Sequence, residues 1–116
     1  LCAASDILVL AVPGGGALRH AIGAAELAAL GAEGRLINVG RGDLVDTEAL
    51  TDALERNIIA GAALDVLEGE PKIPARLAAL SNVVFTPHIG GATYGARSRG
   101  AEIAESEVLA FLRGLK

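Results

Sequence analysis

The chain alternates short apolar runs with segments whose apolar residues recur at helical spacing. Ile7-Leu8-Val9-Leu10-Ala11-Val12 is an unbroken apolar run stopped by Pro13-Gly14-Gly15-Gly16, the pattern of a parallel strand covered on both faces. Residues 17–30 are rich in alanine, with Ile22, Leu27 and Leu30 able to share one stripe and Gly31 as a stop, which predicts a helix. Arg35-Leu36-Ile37-Asn38-Val39 repeats the strand pattern, Gly40-Arg41-Gly42 closes it, and Asp46 stands at the N-cap position of a helix over 47–56. A third run over 58–66 contains Gly61-Ala62-Ala63, small enough for a helix to pack close. Residues 75–80 predict a turn or two of helix, and Asn82-Val83-Val84-Phe85 predicts a last strand ending at Thr86-Pro87. Over 92–112, Ile103, Val108, Leu109 and Leu112 among charged neighbours predict a long amphipathic helix.

Strands alternating with helical crossovers predict an α/β fold of about four parallel strands, joined right-handedly and covered by helices on both faces. In such sheets ligands gather beyond the carboxyl ends of the strands. The turns at 13–16, 40–43, 65–70 and 87–91 should therefore converge on one rim.

Composition narrows the partners. With 10 basic against 14 acidic side chains, a formal charge of −4, there is no basic footprint for nucleic acid or an anionic membrane. The longest apolar run is about a third of a membrane span. The single cysteine, Cys2, cannot form an internal disulfide, which predicts a reducing compartment, the cytoplasm by default. The chain opens at Leu1 and enters a strand almost at once, so it reads as cut from a longer one. Its first strand would then lack a neighbour, and an open apolar edge predicts self-association.

Four ionisable residues, Arg41, Asp65, Glu70 and His88, each follow a different strand at the end where the rim forms, a clustering that points to chemistry. The glycine run is only a partial phosphate-binding fingerprint, because Arg19 occupies the third glycine place after Gly14 and Gly16, and Val45 the same place after Gly40 and Gly42. Both read as tight turns beside a ligand. Asp65, Glu68, Glu70 and His88 match no metal-ligand spacing, so no metal is expected. Glu68 reads as a solvated loop charge, His20 as a residue on a solvated helix face, and Cys2 as part of a frayed end.

Three stretches in this order, Asn38-Val39-Gly40-Arg41-Gly42-Asp43-Leu44-Val45-Asp46, Gly61-Ala62-Ala63-Leu64-Asp65-Val66-Leu67-Glu68-Gly69-Glu70-Pro71 and Thr86-Pro87-His88-Ile89-Gly90-Gly91-Ala92-Thr93, closely resemble the D-isomer-specific 2-hydroxyacid dehydrogenases. The likeness is nearest the glyoxylate/hydroxypyruvate reductase-like branch and covers nearly the whole chain. It implies the second half of a Rossmann-type doubly wound sheet, NAD or NADP as cofactor, and hydride transfer between the nicotinamide and a small D-2-hydroxyacid or 2-oxoacid. It also implies that Arg41, Glu70 and His88 are catalytic, and that Val12, Pro13, Val39, Gly40, Arg41, Asp65, His88, Gly90 and Gly91 line the cofactor, with Asp65 at the nicotinamide end. The chemistry agrees with these roles. A guanidinium grips the oxygens of a 2-oxoacid through two donors, an imidazolium protonates the carbonyl oxygen as hydride arrives, and a carboxylate on the far ring nitrogen fixes the ring and favours its charged form.

Several places depart from the family. Gly15 and Leu18 stand where threonines are usual, Leu67 where phenylalanine is common, and Gly40 where alanine is common; the last two are volume changes a fold should tolerate. No full GxGxxG turn and no substrate domain are recognisable. Residues 1–91 thus read as the second half of a dinucleotide-binding domain, and 92–116 as a helix returning to an absent substrate domain. The parent reads as a homodimeric reductase of which the chain alone is inactive. The alternative is a non-catalytic dinucleotide-sensing module of the corepressor type, which needs no proton donor.

Overall fold

The computed structural model describes residues 1–114. Four strands, β1 (Ile7–Leu10), β2 (Arg35–Asn38), β3 (Gly61–Leu64) and β4 (Val83–Phe85), form one sheet in the order β1-β2-β3-β4. All pairs are parallel. Helices α1 (Ala24–Leu30), α2 (Thr47–Glu55) and α3 (Ala75–Ala78) connect them, and α4 (Tyr94–Gly114) follows β4.

The register puts Leu8, Leu36, Ala62 and Val83 in one row and Leu10, Asn38, Leu64 and Phe85 in the next on the same face. That face carries the core: Leu27 and Leu30 of α1, Leu50, Ala53 and Leu54 of α2, and Leu77 of α3 are all buried against it. Full burial of a leucine stabilises by about 1.5–3 kcal/mol, so this layer holds the sheet. Asp46 caps α2 as its sequence position predicts, accepting the Glu48 and Ala49 N–H groups at 3.0 Å each. Arg76 fastens α3 to α2 through Glu48, Asp52 and Glu55 at 2.7–3.2 Å.

The opposite face is not covered among the described residues, contrary to the expectation of helices on both sides. Ile7 and Val9 are 54% exposed and Val84 is 64% exposed. The cause is topological. A sheet wound in one direction, with every crossover of one hand, places all its helices on one side; covering the other requires the winding to reverse.

Other expectations shift locally. The helix predicted over 17–30 forms only as α1, because Ile22 makes a parallel bridge with Val45, donates to Leu44 O at 3.0 Å and accepts from Asp46 N at 3.0 Å. The Gly23 N–H then turns to the Glu26 carboxylate at 3.0 Å and the helix starts there. The first strand ends at Leu10 rather than Val12 and the third shrinks to Gly61–Leu64; Ile59 before it is fully buried in the core at the end of α2. Helix α4 has no buried residue, and the molecule measures 62 × 27 × 23 Å, so α4 stands out from the body as a rod. Its apolar residues Ile103 and Phe111 are 57% and 68% exposed. The predicted 92–116 segment includes Leu115 and Lys116, which lie outside the described residues.

Candidate active site

The turns after the four strands meet along the carboxyl edge of the sheet, where Asn38 locks the turn after β2 and Asp65 the turn after β4. After β2 the device is Asn38, a polar residue only 1% exposed in the core row. Its Nδ2 donates to Arg41 O at 2.9 Å and its Oδ1 accepts the Gly40 N–H at 3.1 Å, so burial of the amide is compensated and the Gly40-Arg41 turn is riveted. Arg41 is exposed and its Nη1 donates to Gly40 O at 2.7 Å. Among the described residues it has no carboxylate partner within ion-pair distance, which leaves its charge free for an anion. A Cβ at Gly40 would lie 2.6 Å from Val12 O and 2.9 Å from Leu44 Cδ1. Glycine at this position thus lets the Val12 backbone approach closely, and an alanine would fit only if the Val12 turn moved.

After β3 comes Asp65, whose carboxylate belongs to the turn after β4. Oδ1 accepts the Thr86 hydroxyl at 2.5 Å and the Ile89 N–H at 2.9 Å, and Oδ2 accepts the Gly90 N–H at 2.9 Å. These donors stabilise the ionised form and hold the Asp65 carboxyl below the ordinary carboxylate range, the Thr86 hydroxyl contributing most. The same bonds clamp the ends of the segment that presents His88, a residue with φ of 54°. A side chain in this left-handed region costs about 1–2 kcal/mol, and the His88 N–H to Thr86 O bond of 2.9 Å helps to hold it there.

His88 Nδ1 lies 2.7 Å from Glu70 Oε1, both side chains being about half exposed. With Nδ1 committed to the carboxylate, Nε2 is the nitrogen that can exchange a proton with a ligand. His88, Arg41, Asp65, Val39, Gly90 and Gly91 line one cleft of about 700 Å³, with Arg97 of α4 at its margin. A second cleft of about 480 Å³ has Pro13, Gly14, Arg41, Glu68 and Glu70 among its walls. The four ionisable residues singled out in the sequence are thus on one rim, and Arg41 joins the two clefts. Val12 lines neither; it is 48% exposed at the edge beside Gly40.

The first cleft suits a flat ring with a polar edge. Val39 is 47% exposed there, and a Cβ at Gly91 would meet nothing within 4 Å. Gly90 is tighter, its Cβ position being 3.0 Å from Asp65 Oδ2, so a side chain would disturb the clamp. Among the described residues no group of three or more His, Cys, Asp or Glu side chains could hold a metal ion.

Two sequence readings are corrected. His20 is not on a helix face and Glu68 is not merely solvated: His20 Nε2 lies 3.1 Å from both Glu68 carboxylate oxygens, and Arg19 donates to Glu68 Oε1 at 2.5 Å. Asn38 and Thr86 were also passed over. A lone amide within the apolar run Leu36-Ile37-Asn38-Val39 was the available signal for Asn38; Thr86 gave none beyond its place at a strand end.

The fold and the sequence have counterparts among known proteins. The family described as "D-isomer specific 2-hydroxyacid dehydrogenase, NAD binding domain" matches residues 1–90. Glyoxylate reductase of Thermococcus gammatolerans is 47% identical over 110 residues, 95% of this chain and 33% of that protein. The structure of an NADPH-dependent glyoxylate/hydroxypyruvate reductase from Sinorhizobium meliloti, in complex with NADP and malonate, superposes with a TM-score of 0.80 at 46% identity, covering 83% of this chain and 30% of that one. A D-isomer specific 2-hydroxyacid dehydrogenase from Lactobacillus delbrueckii ssp. bulgaricus in its NAD-complexed form gives 0.81 at 33% identity, covering 95% and 38%. The chain spans about a third of the length of the curated relatives it matches.

Proposed function

Since the chain belongs to the D-isomer-specific 2-hydroxyacid dehydrogenases and matches their NAD-binding domain over residues 1–90, we propose that it supplies cofactor-binding and proton-handling residues of an NAD(P)-dependent reductase of small 2-oxoacids such as glyoxylate or hydroxypyruvate. The observation that carries this reading is the 2.7 Å His88–Glu70 pair on the same rim as Arg41, which has no carboxylate partner among the described residues. A dinucleotide sensor would have no need of such a pair.

In this reading Arg41 receives the substrate carboxylate and orients the adjacent carbonyl. Glu70 accepts from Nδ1 and fixes the ring, and His88 delivers a proton from Nε2 to the carbonyl oxygen; in the reverse direction the neutral ring removes it. Val12, Pro13, Val39, Gly40, Arg41, Asp65, His88, Gly90 and Gly91 hold NAD or NADP, which when bound supplies the hydride. Asp65 is the link between the two tasks, because the carboxylate beside the cofactor cleft also clamps the His88 turn.

In the same reading residues 1–91 serve as half of the dinucleotide-binding domain, and the 92–116 segment, through α4, is directed to a substrate domain. We place the parent in the cytoplasm, the single cysteine of these 116 residues fitting a reducing compartment. We read the chain by itself as self-associating, since β1 is an edge strand with an exposed apolar face, and the parent as a homodimer, as its family likeness implies.

The decisive experiment is a chimera in which this chain replaces the corresponding third of the Thermococcus gammatolerans enzyme, assayed by nicotinamide absorbance. Turnover of glyoxylate or hydroxypyruvate is expected. His88→Ala should lower kcat by about 10²–10⁴-fold with cofactor affinity retained. A chimera that binds cofactor and reduces neither oxoacid would defeat the reading.

A further inference from the structure

We propose that His20 and Glu68 are positioning residues, whose hydrogen-bonded clasp, completed by Arg19, holds the loop carrying Glu70 in register with His88. This rests on the reductase reading only in that the Glu70–His88 pair is taken as its proton-handling group.

The clasp joins segments far apart in sequence. Glu68 lies two residues before Glu70 on the turn after β3, whereas Arg19 and His20 end the glycine-rich turn after β1. His20 is an anchored base rather than a free surface group. Its N–H donates to Asp43 O at 2.7 Å, its φ is 54°, and its Nδ1 is 3.9 Å from Asp46 Oδ2. Two residues on, Ile22 is bridged to Val45. The imidazole is therefore carried by the same turn after β2 that carries Arg41. On the other side, Glu68 and Glu70 are joined through Gly69 at φ 77°, and the Glu70 N–H reaches back to Leu67 O at 3.3 Å. So tight a link passes the position of one glutamate to the other.

The arrangement does a second thing. Glu68 and Arg41 both line the smaller cleft. A free carboxylate there would repel an anionic substrate and compete for the guanidinium; Glu68 is instead bonded to Arg19 and His20, whose donors partly offset its charge. The side chains of His20 and Glu68 are 30% and 31% exposed, sheltered enough for the contact to be more than a transient surface pair.

The test compares His20→Ala, Glu68→Ala, the double variant and Glu68→Gln, the last keeping a carbonyl acceptor for both donors. In the chimera each alanine variant should lower kcat about tenfold, as expected for a modest misplacement of a reacting group, with KM for the cofactor unchanged. The double variant should be no worse than the poorer single one, because the two residues act as one device, and Glu68→Gln should recover most of the loss. Losses that add in the double variant, or a lowered melting temperature with kcat intact, would overturn the proposal. A second measurement needs no turnover: hydrogen exchange at the amides of 67–70 in the 116-residue chain should quicken in the alanine variants while α2 stays protected. Unchanged exchange at 67–70 would equally overturn it. If the parent chimera reduces no oxoacid, the functional reading fails alone and the exchange result still decides the clasp.

Discussion

Gly42→Ala tests most sharply how the turns are fitted together. Gly42 opens the short helical turn after Arg41, and a methyl group on it would lie 2.2 Å from the Leu67 carbonyl carbon, 2.3 Å from Leu67 O and 2.4 Å from Glu68 N. All three are backbone atoms, so no rotamer change makes room. An ordinary carbon contact begins near 3.4 Å, and one of the two turns must retreat by about 1 Å, at an overpacking cost of about 1–3 kcal/mol. The retreating turn takes Glu70 with it, from a bond of 2.7 Å to His88. A displacement of about 1 Å in a reacting constellation lowers turnover by about 100-fold. Urea denaturation of the chain and kcat of the chimera measure the two effects. Gly100→Ala is the control: it lies within α4, a Cβ there meets nothing within 4 Å, and relief of glycine's backbone entropy should stabilise the helix by about 0.5–1 kcal/mol. Should Gly42→Ala match the parent in both stability and turnover, the close seating of the two turns would be refuted.

The remaining predictions concern pH, core and surface. Because Asp65 has its carboxyl held below the ordinary range in the folded state, its contribution to stability is complete above the unfolded value of about 3.9 and fades as pH falls through the depressed folded value. Asp65→Asn should therefore weaken the fold at neutral pH and flatten the acid limb of a stability–pH curve; an unchanged limb would count against the clamp. Leu50→Ala, at a fully buried position, should cost about 2–5 kcal/mol in chemical denaturation, and a loss below 1 kcal/mol would mean that the helical layer is looser than described. Val9→Lys with Val84→Lys, on the open sheet face, should shift sedimentation of the chain towards monomer. A parent chain that is already monomeric at high concentration would remove the basis for that expectation.

Local pattern was a good guide wherever local physics decides the outcome. Apolar runs marked all four strands, three of them closed by glycine or proline, and Asp46 marked the start of α2, because a strand in a parallel sheet and a capped helix both write themselves into neighbouring residues. The rim residues Arg41, Asp65, Glu70 and His88 were legible for the same reason, each following a recognisable strand. What escaped is long-range. Residues 17–22 have helical composition, yet the bridge from Ile22 to Val45 outweighs helix propensity. Glu68 meets His20 across 48 positions of chain, and nothing in an acidic loop announces that. The bare sheet face was hidden as well, since a strand covered on one side and a strand covered on both can carry the same apolar letters.

Helix α4 begins six residues after His88 and touches the body so little that none of its residues is buried. A torque applied to this rod is delivered first to the Thr86–Gly90 span that Asp65 grips at both ends. The imidazole thus sits at the fulcrum of a lever whose long arm is free to be seized from outside, and a body gripping that arm would adjust the tilt of the ring without touching the clefts.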